Sequence, residues 1–169
     1  AKEEMVLADD NFATIAAGVA MYAGGAVTNG AAGDTTASIS GAYDGVYING
    51  GAGTVTNFGA IHGHHNGKFG VDLRAGGQIT NGTAIDQSAV ISGYTGVIVR
   101  GAAGTINNFG TIQGFGPATK QRGVYLLAGG YVTNGSAADA NALIEGANAV
   151  FLSAAGTIVN FGAIAGATA

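Results

Sequence analysis

The sequence predicts an all-β fold, a right-handed parallel β-helix of about six coils of ~26 residues, with its strands in three parallel sheets. Two related sequence motifs alternate to give six repeats along the chain, and each repeat alternates apolar with variable residues, as short strands do. The motif GVAMYAGGAVTNG, which begins at Gly18, recurs in similar form from Gly70 and Gly123. A related motif begins at Gly45, Gly96 and Ala149.

Each copy contains three β-patterned pieces separated by Gly and Asn, so one copy makes one coil. The first piece alternates, as in Val46, Tyr47 and Ile48, and the other two each carry one recurring apolar residue. Right-handedness is the usual hand of parallel crossovers. The recurring residues are Val27, Val55, Ile79, Ile106, Val132 and Ile158 in the second piece, and Ile39, Ile61, Ile91, Ile112, Ile144 and Ile164 in the third.

An asparagine occupies the same position in every coil. Stacked coils place these side chains above one another, where each amide can hydrogen-bond to the next along the axis. We therefore predict a structural ladder. The sequons Asn81-Gly82-Thr83 and Asn134-Gly135-Ser136 begin on this ladder, and an inward amide cannot carry a glycan. The ladder residues are Asn11, Asn29, Asn57, Asn81, Asn108, Asn134 and Asn160.

The repeat predicts one solenoid domain over residues 11–169, and residues 1–10 fall outside the pattern. This first segment is expected to cap the solenoid or to bridge to another subunit, with Met5, Val6 and Leu7 as its candidate contacts. The final coil carries no charged cap, so we expect it either to continue into a longer solenoid or to stack on a further copy.

The first pieces of the coils form one sheet, and the outward-facing column of residues on that sheet is unusually apolar and aromatic. Such a column is typical of an interface. Its predicted contact residues include Tyr22 and Leu127, which flank the column. Lateral packing of copies through this stripe is therefore one expected mode of association. The candidate interface consists of Tyr22, Tyr47, Ile98, Tyr125, Leu127 and Phe151.

Residues that could carry chemistry are few. Asp72 and Arg74 project from one strand with Arg100 in the next coil, and we interpret them as a surface ion pair. A zinc site at His62, His64 and His65 would lack a second ligand set. Threonines recur outward on the second piece, but the column is interrupted and does not favour ice binding. We therefore predict no cofactor, no metal site and no catalytic residues.

Composition excludes several classes of partner. The net charge is −4 with only 6 Lys and Arg, too few cations to neutralise a row of phosphates, which argues against nucleic acid. No apolar run is long enough to cross a bilayer, so membrane insertion is not expected. There is no cysteine, and hence no disulfide framework.

The wording GVYINGGAGTVTNFGAIHG and its variants, over residues 11–166, resembles the repeats of autotransporter passenger domains, which are bacterial surface β-helices. The resemblance implies export to the bacterial cell surface or the extracellular medium. We expect a non-enzymatic structural β-solenoid that associates with itself, end to end or laterally, as a fibre or matrix subunit or an adhesin stalk. The alternative is a β-helix that binds or cleaves polysaccharide, with cell-surface glycans as partners.

Overall fold

A computed structural model describes residues 8–11, 13–65, 67–116 and 120–166, and only the backbone of 8–11. These residues form strands joined by turns, and none of them lies in a helix that could span a membrane. The strands are β1 (Ala8–Asn11), β2 (Thr14–Ile15), β3 (Val19–Met21), β4 (Gly25–Asn29), β5 (Ser38–Gly41), β6 (Val46–Ile48), β7 (Gly53–Asn57), β8 (Ala60–Gly63), β9 (Phe69–Leu73), β10 (Gly77–Asn81), β11 (Val90–Gly93), β12 (Thr95–Val99), β13 (Gly104–Asn108), β14 (Thr111–Gly114), β15 (Arg122–Leu126), β16 (Gly130–Asn134), β17 (Leu143–Gly146), β18 (Asn148–Leu152), β19 (Gly156–Asn160) and β20 (Ala163–Gly166).

The strands form three parallel sheets, and each coil contributes one strand to each sheet. Sheet A has the order β1-β4-β7-β10-β13-β16-β19, sheet B β2-β5-β8-β11-β14-β17-β20, and sheet C β3-β6-β9-β12-β15-β18. Neighbours in a sheet are therefore three strands apart in the chain. This confirms the predicted all-β solenoid of six coils in three sheets.

The register of the sheets places like residues on like. In sheet A, Val27 pairs with Val55, which pairs with Ile79, and the same column continues to Ile158. Sheet B adds the isoleucine column that begins at Ile15. Sheet C adds two columns, because both ends of each three-residue alternation point inward. The columns meet in one continuous apolar core along the axis.

The first strand begins earlier than the repeat pattern indicates. β1 pairs in parallel with β4 from Ala8↔Ala26 to Asn11↔Asn29, so residues 8–10 belong to sheet A. These residues belong to the segment 1–10, which lies outside the repeat pattern of the sequence. Residues 1–7, including Met5, Val6 and Leu7, lie outside the described residues.

Glycines mark the places where one coil approaches the next too closely for a side chain. Gly77 begins β10 with a φ of +138°, and a Cβ there would collide with the main chain of Gly53 in the adjacent strand. Gly33 has a φ of +84° in a loop, but a Cβ there would meet nothing within 4 Å. A comparison of substitutions at these two glycines therefore distinguishes the cost of backbone strain from the cost of close approach between coils.

We expect Gly77→Ala to lower the free energy of unfolding by at least ~3 kcal/mol, because it combines left-handed strain with a main-chain collision. The matched control Gly33→Ala retains only the backbone strain, about 1 kcal/mol. Urea denaturation followed by circular dichroism measures both values. Equal losses for the two variants would show that close coil contact is not what requires Gly77.

Candidate functional site

The asparagines of sheet A form a continuous hydrogen-bonded ladder. Asn29 Nδ2 donates to Asn57 Oδ1 at 2.7 Å, and Asn57 Nδ2 donates to Asn81 Oδ1 at 2.8 Å. The same bond continues from Asn81 to Asn108, from Asn108 to Asn134 and from Asn134 to Asn160, at 2.8, 2.7 and 2.9 Å. The side chain of Asn11 lies outside the described part of the chain. The ladder runs in one direction, with every donor pointing toward the C-terminal coil.

The ladder amides also bind main-chain carbonyl groups of the turn that follows them and of the next coil. Asn108 Nδ2 donates to the carbonyl oxygens of Gly110 and Leu143, both at 3.0 Å. Five of the described ladder residues, Asn29 to Asn134, are buried, and Asn160 in the last coil is exposed. A glycan therefore has no access to Asn81 or Asn134 in the folded chain. The amides of the five buried residues are hydrogen-bonded within the fold, so they are not available to a ligand.

The acidic residue on the outer face of sheet C is not part of a surface pair, contrary to our interpretation of the sequence. Asp72 is completely buried, and its two carboxylate oxygens accept from Arg74 Nε at 3.0 Å and Arg100 Nε at 3.2 Å. The two arginine side chains lie over it from its own coil and the next. Burial raises the pKa of Asp72 above its usual value, against the opposing effects of Arg100 and Arg74. A carboxylate enclosed in this way cannot reach a substrate.

Arginines also cover the aromatic residues of this face. The guanidinium of Arg74 lies 5.4 Å from the Tyr47 ring centroid, and that of Arg100 lies 5.0 Å from the Phe69 ring. Arg122 lies over both Tyr125 and Phe151, at 4.4 and 4.8 Å. These are cation–π distances. Much of the predicted aromatic stripe is thus covered by the chain's own cations.

The candidate interface is correspondingly reduced. Ile98 is only 3% exposed, so its assignment to an exposed interface is wrong: it lies within sheet C between Asp72 and Tyr125, its partners in the adjacent coils. Tyr47, Tyr125 and Leu127 are half-buried. Phe151 and Tyr22 are exposed at opposite ends of the face, and Tyr22 is 74% exposed. The structure therefore does not present one continuous apolar stripe.

The three histidines do not converge on a common point. His62 Nδ1 lies 2.6 Å from Ser92 Oγ, whereas His64 Nε2 lies 2.7 Å from Ser40 Oγ. His65 stacks on another residue, Tyr43. Burial, and then the neighbouring His64, lower the pKa of His62, which favours the neutral form of its ring. Within the described ranges, no three His, Cys, Asp or Glu side chains are placed to hold a metal ion.

The last described coil exposes residues whose counterparts in the preceding coil are buried. We define the final rung as β18, β19 and β20, which are the terminal strands of the three sheets. Ile158 is 46% exposed, whereas Val132 at the same position one coil earlier is 1% exposed. Leu152 and Ile164 are also partly exposed. The three strands contain no charged residue and no proline, so this edge has none of the usual protections against pairing.

A pocket lies at the opposite end of the solenoid, on the outer face of sheet C. We call it the first-coil pocket. Its lining includes the small residues Gly18 and Ala20 together with Tyr22, Tyr43, Asp44 and Tyr47. It exists because Ala20 occupies the column position that Tyr47 occupies in the next coil. Sequence reasoning missed this pocket, although one small residue in a column of large ones was a visible signal.

We expect Asn108→Ala to lower the free energy of unfolding by about 2–4 kcal/mol, because Asn81 loses its acceptor and Asn134 loses its donor in a buried site. Asn107→Ala is the matched control on the same strand, and its side chain faces outward and is half-buried. That control is expected to change stability by about 0.5 kcal/mol or less. Urea titration measures the free energy of unfolding of both variants. Similar losses of this free energy in the two variants would refute a role of the ladder in stability.

The raised pKa of Asp72 gives a pH dependence with a definite sign. The folded chain holds this proton more tightly than the unfolded chain, so the contribution of Asp72 is fully present below about pH 3.9. It is lost as the pH rises through the folded-state pKa. The wild type should therefore lose stability relative to Asp72→Asn between about pH 3 and pH 7. Urea denaturation of both proteins across this range measures the difference, and a relative gain by the wild type would contradict the direction.

Comparison with models of known protein families, with curated proteins and with solved structures finds no match for this chain. The repeat architecture therefore rests on the structure itself. A β-solenoid supports many functions, so any assignment has to come from its particular surfaces. Two surfaces stand out in the described residues: the uncovered final rung and the first-coil pocket.

Proposed function

We propose that this chain is a non-enzymatic structural β-solenoid, exported to the bacterial surface or the medium, that associates with a second copy of itself through the final rung. The observation that carries the proposal is the exposure of Ile158, a core-column residue, on an uncharged strand. The extracellular setting rests on the resemblance of the repeats to autotransporter passengers. The product is a longer rod whose length comes from coil stacking.

The chemistry of the final rung favours covering by another β-edge. Leu152, Ile158 and Ile164 present the ends of core columns to solvent, and covering them removes apolar surface from water. Among the described strands, those that carry them have a neighbour on only one side, so each presents main-chain donors and acceptors. A second copy satisfies both requirements at once, because its edge offers the same apolar columns and the same backbone groups.

The first rung is a less suitable partner surface. The pairing of β1 with β4 places Asp9 in register with Val27, which is the core column of sheet A. The first rung therefore has an acidic residue at a register position that is apolar in the later coils, and an ionisable residue disfavours an apolar contact at neutral pH. We therefore propose that two copies meet final rung to final rung, which makes a two-fold dimer that closes at two copies.

The alternative of a polysaccharide-cleaving enzyme is not favoured on the face that carries Asp72. Glycoside cleavage by the usual route needs two carboxyl groups flanking the bond. The Asp72 carboxylate is enclosed by Arg74 and Arg100, and neither of its oxygens faces solvent. Sugar binding without cleavage is a separate question, and it concerns a different part of the surface.

We expect Ile158→Lys to weaken association of the 1–169 chain at least about tenfold, because stacking would bury an ammonium group in an apolar contact. The monomer tolerates the change, since Ile158 is already 46% exposed. The matched control is Thr157→Lys, at an exposed neighbouring position on the same strand. Analytical ultracentrifugation at micromolar concentration measures the association.

The wild type and Thr157→Lys should sediment as dimers and Ile158→Lys as a monomer. A wild-type chain that stays monomeric at these concentrations would refute self-association through this rung. Open-ended polymers would instead refute the pairing of two final rungs, because only a head-to-tail contact can continue without closing.

A further inference from the structure

We propose that the first-coil pocket binds a neutral pyranose sugar, either free or as a residue of a glycan chain. This goes beyond the structural role, which does not use the pocket. The cavity has a volume of about 320 Å³, which lies at the small end of the range for ligand sites. Its lining combines three tyrosines, one carboxylate and several small residues.

The tyrosines provide flat apolar surfaces with polar tips. Tyr22 is 74% exposed, and its ring centroid lies 5.8 Å from that of Tyr47 at an angle of 54°. The two rings thus form an angled wall and not a closed stack. One face of a pyranose ring is mostly C–H groups, which pack on aromatic rings, while its hydroxyls can bond to the tyrosine hydroxyls. An exposed pair of this kind matches that two-sided chemistry.

The other wall of the pocket is held in place by its neighbours. Tyr43 stacks on His65 with a centroid distance of 5.5 Å and an interplanar angle of 16°. Asp44 Oδ1 accepts a hydrogen bond from the Phe69 main-chain N–H at 2.9 Å. A carboxylate can accept about four hydrogen bonds, so Asp44 retains capacity for the hydroxyl groups of a sugar. The polar group of the site is therefore fixed before a ligand arrives.

The charges around the pocket select a neutral ligand. Lys68 Nζ lies 5.0 Å from the Tyr43 ring centroid, and the Arg74 guanidinium lies 5.4 Å from that of Tyr47. Two of the three rings therefore already have a cation beside them, and a cationic ligand would meet two like charges. An anionic ligand would meet the Asp44 carboxylate, which lies in the pocket lining, whereas Lys68 and Arg74 lie outside that lining. A neutral polyhydroxyl compound avoids both conflicts.

The proposal is tested by saturation-transfer-difference NMR on the 1–169 chain with methyl β-D-glucopyranoside, methyl β-D-galactopyranoside and cellobiose as probes. We expect transfer to the C–H protons of at least one probe, with a dissociation constant on the order of 1 mM for a single ring. Tighter binding of cellobiose than of the monosaccharides would identify a glycan chain as the source of the ring. Equal binding would identify the free sugar.

Tyr22→Ala should reduce the transfer signal at least about tenfold, and Asp44→Asn should weaken binding while keeping its acceptor for Phe69. The matched control is Tyr131→Ala, because Tyr131 is 62% exposed on sheet A, outside the pocket. Its signal should equal that of the wild type, and unchanged melting of all three variants excludes unfolding. Three outcomes would overturn the proposal: no transfer to any pyranoside, transfer that survives Tyr22→Ala, or stronger binding of tetramethylammonium than of the sugars.

Discussion

Each coil of this protein is tied to the next by an asparagine amide that gives its hydrogen to the oxygen of the following asparagine. Five such bonds connect Asn29 to Asn160, at 2.7 to 2.9 Å. An amide can serve as donor and acceptor together only if the coils stay in register. A slip of one residue would move each core column to the solvent side. The ladder and the apolar core therefore enforce the same arrangement.

This constraint explains where the chain is free to vary. Inward positions and ladder positions repeat in every coil, whereas outward positions and turns differ between coils. On sheet C one outward column contains Ala20, Tyr47, Asp72 and Ile98 in succession. The small Ala20 leaves a pocket, whereas Arg74 lies over the Tyr47 ring and, with Arg100, encloses Asp72. Specific surfaces thus arise from local departures on a regular scaffold.

Most cations in the described part of the chain contribute to packing. Of the described lysines and arginines, Lys68, Arg74, Arg100 and Arg122 each lie over an aromatic ring. Arg74 and Arg100 also neutralise the buried Asp72. A cation held by a ring and a carboxylate contributes little to the attraction of distant anions. The positive charges of Arg74 and Arg100 are thus engaged within the outer face of sheet C.

The sequence by itself determined the strand class, the three sheets, the coil count and the ladder positions. This was possible because period-two alternation and the 25- to 27-residue repeat specify which side chains face inward, and like residues must then stack. The tertiary structure decided how far each outward residue is covered. Asp72 and Ile98 are outward in the pattern, yet both are buried, and the carboxylate of Asp72 is enclosed by Arg74 and Arg100. The pairing of His62 with Ser92 and the pocket beside Ala20 likewise depend on contacts between coils, which a repeat pattern does not encode.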